Sequence, residues 1–110
     1  MIRRHKDMSV VEAVRLKNGN GEASIINILE TGEMYGAGRL FCITKMKPGV
    51  SSGAHTHTGD FETYYILKGQ ARVNDNGTYY ELGPGICSSA RTGIFTGLKA
   101  LARKSWNIWQ

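Results

Sequence analysis

Proline, cysteine and long apolar runs are all scarce in this 110-residue chain, which has two prolines and two cysteines. No stretch approaches the roughly eighteen consecutive apolar residues of a membrane helix, so a membrane partner is not expected. Cys42 and Cys87 are too few to staple a small secreted scaffold, and free thiols in a reducing cytoplasm are expected instead. The basic start, residues 1–7, leads into no apolar segment, so a secretory leader is not expected either. Charge of one sign is also lacking over most of the chain. Residues 1–81 carry ten Lys/Arg and nine Asp/Glu. The net charge of +5 therefore comes from residues 82–110, which hold Arg91, Lys99, Arg103 and Lys104, no acidic residue, and both tryptophans, Trp106 and Trp109. The Arg3-Arg4-Lys6 cluster is too small for a nucleic-acid footprint. No phosphate loop, Cys-x-x-Cys pair or serine nucleophile elbow is present.

Fourteen glycines are what the chain does have, and they imply many tight turns between short strands. Turn clusters fall at 18–21, 48–49, 74–77 and 83–85. Between them, residues 23–29, 39–47, 54–58, 62–68, 70–73 and 78–82 read as strands, while 8–16 fits a short helix or a first strand. Asn74-Asp75-Asn76-Gly77 is the clearest hairpin signal. Strands recurring every eight to twelve residues predict an all-β sandwich or barrel built as one domain.

His55 and His57 stand two apart in a strand-like segment, which puts both imidazoles on one face. Glu62 follows across the Gly59-Asp60 bend, where an antiparallel neighbour would carry its carboxylate to the same side. Two imidazoles and a carboxylate suit a divalent ion with open coordination positions. The His-x-His pair taken alone is more often a polar surface pair than a metal site.

The surrounding frame separates the two. Gly49, His55, His57, Glu62 and Gly69 fall at the offsets of the first cupin motif, and the chain resembles a small single-domain type-2 cupin over about residues 35–85. That resemblance implies a jelly-roll barrel with a metal near its mouth, ligated by His55, His57 and Glu62. It also implies a homodimer, which would cover exposed strand edges. The metal would be iron, manganese, zinc or nickel.

Past residue 85 the resemblance fails. Leu82-Gly83-Pro84-Gly85 opens a second motif, but Ile86 stands where an acidic residue is expected and Thr96 where the fourth ligand, a histidine, belongs. This break coincides with the break in charge and tryptophan content. A one-base deletion in the coding DNA near the codon of Gly85 accounts for both. In the shifted frame the site of Ile86 can encode Asp, and 92–97 can encode Asp-Gly-His-Phe-His-Gly. The single tryptophan codon then forces Glu at the site of Asn107 and Ala at that of Gln110. The alternative is a natural, divergent tail. Either way a C-terminal region less regular than 39–82 is expected, anchored by Ile94-Phe95 and 106–109.

Alternation with Glu62 turns Tyr64 inward, as a packed core tyrosine or a phenol that touches substrate. Tyr64 is the single catalytic candidate. Tyr35 and Arg39 flank a glycine-bearing loop where a small anion could sit, although ordinary loop roles are favoured. Cys42 is expected in the core and His5 in solvent. Three functions stay open: a metal-dependent dioxygenase, decarboxylase or isomerase; a non-enzymatic module that binds a small ligand; or an inactive product of a frame-shifted gene.

Overall fold

Asn76 and Gly77 both take positive φ, 52° and 97°, and the Gly77 amide donates to Asn74 Oδ1 at 2.9 Å. That primed turn folds β6 (Gln70–Asp75) onto β7 (Thr78–Leu82) as the expected hairpin, with β6 running two residues further than the sequence suggests, so that Asp75 stands opposite Thr78. The same economy of short strands and tight turns runs through the computed structural model, which describes residues 1–101.

The remaining strands are β1 (Val10–Val14), β2 (Glu22–Leu29), β3 (Phe41–Met46), β4 (Ser51–Thr56), β5 (Glu62–Tyr65), β8 (Cys87–Ala90) and β9 (Phe95–Leu101). Among the described residues all pairings are antiparallel, in three groups: β1-β2-β3, β4-β9-β6-β7 and β5-β8. This is an all-β jelly roll, with helix among the described residues limited to short 3-10 turns at His5–Asp7, Leu16–Asn18 and Thr31–Met34. The ambiguous 8–16 segment is strand, because Val10 to Val14 find a full partner in β2.

The expected loss of regularity beyond Gly85 does not extend to residues 87–101. β9 is seven residues long and lies between β4 and β6, so both its edges are hydrogen-bonded. Partners on both sides override a local pattern, Phe-Thr-Gly-Leu-Lys-Ala-Leu, that alternates poorly. The suggested anchors at 106–109 lie outside the described residues. Ile94 is half-buried and Phe95 exposed.

The buried apolar side chains are small: Ala23, Ala71, Ala90 and Ala100, with Ile26, Met46 and Val73. Cys42 is only half-buried and Cys87 is exposed, and both are free thiols. His5 is exposed, as expected. Among the described residues no helix is long and apolar enough to cross a membrane.

Candidate metal centre

A bulge aims the histidines. β4 pairs with β9 in one register at Ser51 and Ser52 and in a shifted one at His55 and Thr56. Gly53 sits inside that irregularity because nothing larger fits: a Cβ there would lie 1.8 Å from the Lys17 carbonyl oxygen. The slip changes which residues of β4 face inward. Ser52 before it and His55 and His57 after it all turn toward the interior.

The two imidazoles then stack obliquely, with ring centroids 4.7 Å apart and planes at 56°. His55 Nδ1 donates a 2.9 Å hydrogen bond to the Gly53 carbonyl oxygen, which leaves its Nε2 lone pair free. A ring nitrogen tied to a backbone carbonyl is how ligating histidines are commonly held in orientation. His57 is buried. Its backbone is pinned on both sides, since its amide donates to the Ile94 carbonyl and its own carbonyl accepts from the Gly93 amide.

Glu62 completes the group from an unexpected direction. β5 is not hydrogen-bonded to β4; it pairs with β8, so the carboxylate comes from a separate two-stranded sheet. Adjacency along the chain had suggested a neighbouring strand, but the Gly59-Asp60 bend carries the chain across the barrel. One ligand atom each from His55, His57 and Glu62 lie within 4.8 Å of one another.

The donor set fits a divalent cation. Glu62 Oε1 is buried and has no hydrogen-bond partner among the described residues, and it lies 3.8 Å from His57 Nε2. A buried carboxylate oxygen left bare is costly, and a cation shared with two neutral imidazoles would satisfy it. His55, Glu62, Tyr64 and Thr96 line a cavity together with Ser52 and Ser88. Its enclosed space is about 10 Å³, the room of one ion or one water.

Tyr64 faces this cavity, whereas Tyr65 points to solvent, as alternation with Glu62 predicts. Burial first, and then the Glu62 charge, push the Tyr64 phenol well above its ordinary range, so it remains protonated. Thr96, on β9 opposite His55, is buried and holds a 2.8 Å hydrogen bond with His57 Nε2. The position that the sequence assigns to a fourth donor therefore does lie against the site. Tyr35 and Arg39 are not part of it. Tyr35 is almost fully exposed, and Arg39 pairs with Asp60 at 2.6 Å.

Asp60 escaped the sequence reading. Its Oδ1 lies 3.8 Å from His57 Nδ1, and its backbone carbonyl accepts a 2.7 Å bond from the Thr92 hydroxyl. Its position three residues beyond His57, within a bend, was the available signal. Ser52 and Ser88 carried no signal, because the bulge and the β5–β8 pairing that place them are tertiary.

Comparison with known proteins agrees with this geometry. Residues 42–94 match the family model described as the cupin domain. Over 77 residues the chain is 36% identical to an oxalate-binding protein of Thermotoga maritima, a match covering 70% of this chain and 64% of that protein's length. A crystal structure of a predicted oxalate decarboxylase from Thermotoga maritima superposes with a TM-score of 0.86 at 30% identity, over 91% of this chain and 87% of that one. Fold, motif spacing and these likenesses lead to one assignment: the chain belongs to the cupin superfamily.

Proposed function

We propose that this protein binds a divalent metal ion through His55, His57 and Glu62 and, at the open positions of that ion, a small dicarboxylate of the oxalate class. The bare, buried Glu62 Oε1 beside two imidazole nitrogens carries the first half. The second half draws on the oxalate-binding relative. A bound cation would supply positive charge to the site, since no lysine or arginine among the described residues lines the cavity. Tyr64, held protonated, would donate a hydrogen bond to a carboxylate and would not act as a base.

Binding without turnover is the favoured form of this proposal. Among the described residues lining the cavity, hydroxyls accompany the ligand set, and no carboxylate beyond Glu62 is available to move a proton. Elemental analysis tests the ion: near-stoichiometric metal in the wild type and loss in His57→Ala are expected, and equal content in both rejects the site. Calorimetric titration with oxalate tests the ligand. Heat that depends on added manganese is expected, and binding indifferent to metal rejects the pairing.

The deletion near the codon of Gly85 remains the better account of residues 86–110, and one structural observation favours it. Thr96 lies against His57 Nε2, where a longer nitrogen donor at the same backbone position would be directed at the ion site. Restoring one base is expected to raise both metal occupancy and thermal stability; no gain in either rejects the deletion.

A further inference from the structure

Among the described residues Thr96 is one of three buried polar side chains, with Ser52 and His57, and it bonds to the second of these. The nitrogen it occupies, His57 Nε2, is also the one that faces Glu62 Oε1 across 3.8 Å. A cation shared by Glu62 and His57 needs the lone pair of that nitrogen. If the ring proton is on Nδ1, on the Asp60 side, Nε2 accepts the Thr96 hydroxyl proton. If the ring proton is on Nε2, it is donated to the Thr96 oxygen, and the free lone pair is on Nδ1. In both tautomers the hydrogen bond and the ion compete for one nitrogen.

We infer that Thr96 is a latch on the metal centre, a positioning residue that holds His57 in the metal-free protein and must release it before an ion can enter. This rests on the assignment of His55, His57 and Glu62 as ligands and adds a cost that their geometry alone does not contain. Release breaks one buried hydrogen bond. The hydroxyl keeps its proton and turns toward the cavity, where an anion or water accepts from it. His55 has no such competitor among the described residues, because its Nδ1 bond to Gly53 leaves Nε2 free. Ion capture would therefore begin at His55 and Glu62 and finish at His57.

Thr96→Val, Thr96→Ser and His57→Ala, each stripped of metal and titrated with cobalt(II) in a calorimeter, test the latch. Removing the hydroxyl is expected to tighten cobalt binding about fivefold, the equivalent of one net hydrogen bond. Metal-free Thr96→Val is expected to melt below the wild type, since His57 Nε2 is then left bare, and to gain more on adding cobalt. Thr96→Ser keeps the hydroxyl and is expected to bind as the wild type does. The cobalt absorption spectrum is expected to be the same in the wild type, Thr96→Val and Thr96→Ser, because Thr96 is not itself a ligand.

Equal or weaker binding by Thr96→Val, a changed spectrum, or tightening by Thr96→Ser overturns the latch. Should Thr96→Val not fold, Thr96→Ala carries the same expectations. A wild type that binds no cobalt, or a His57→Ala variant that binds it equally, overturns the ligand assignment itself. That failure is distinct from a wild type that binds and a Thr96→Val variant that binds no better.

Discussion

Glu62 carries an uncompensated cost in the metal-free protein, a buried carboxylate oxygen to which no group among the described residues donates. Replacing it with glutamine removes the charge and keeps the shape. Metal-free Glu62→Gln is therefore expected to be more stable than the wild type by about 1 kcal/mol in urea unfolding, and its metal content is expected to fall to background. Lower stability with metal retained would show that Glu62 is an ordinary structural acid. The three proposed ligand positions could be singled out in the sequence because His-x-His alternation and the spacing to Glu62 are properties of the chain. Asp60 and Thr96 become neighbours of His57 only through the bend at 58–60 and the β4–β9 register.

At the scale of elements, the β4 bulge decides which way the histidines face, and Gly53 makes the bulge possible by letting β4 touch the Lys17 carbonyl. Gly53→Ala is expected to cost about 3 kcal/mol of unfolding free energy, since the neighbour in the way is backbone. It is also expected to lower metal content even in the fraction that folds. A second element-level link is the Arg3–Glu33 pair, which ties the N-terminal segment to the 3-10 turn at Thr31–Met34. Arg3 holds the Glu33 carboxyl down to about 2, helped by the Glu30 amide. Its folded value lies below the ordinary 4.5, so the stabilisation is complete above the ordinary value and is lost as pH falls from there toward 2. Glu33→Gln is expected to flatten the stability profile across that window, as followed by thermal melting at successive pH values. An unchanged profile rejects the linkage.

At the scale of the whole molecule the core formed by the described residues is thin: four of the seven buried apolar residues among them are alanines. Meanwhile the outer strand β1 leaves Val10 and Val14 55% and 69% exposed. A homodimer that pairs these edges is expected, because an apolar strand edge in water invites a second copy. Light scattering on the wild type is expected to give the dimer mass, and the Val10→Lys/Val14→Lys double variant the monomer mass. A monomeric wild type rejects the interface.

Turn residues, strand spacing and the first motif were properties of the sequence alone, because each depends on local backbone chemistry. Gly49 and Gly69 both take positive φ, as the frame around the histidines requires. The sheet from which Glu62 reaches the site, the regularity of β9 and the hydroxyl lodged on His57 were decided only by the folded molecule. Each depends on which strands meet across the barrel, a long-range outcome that short-range pattern does not encode.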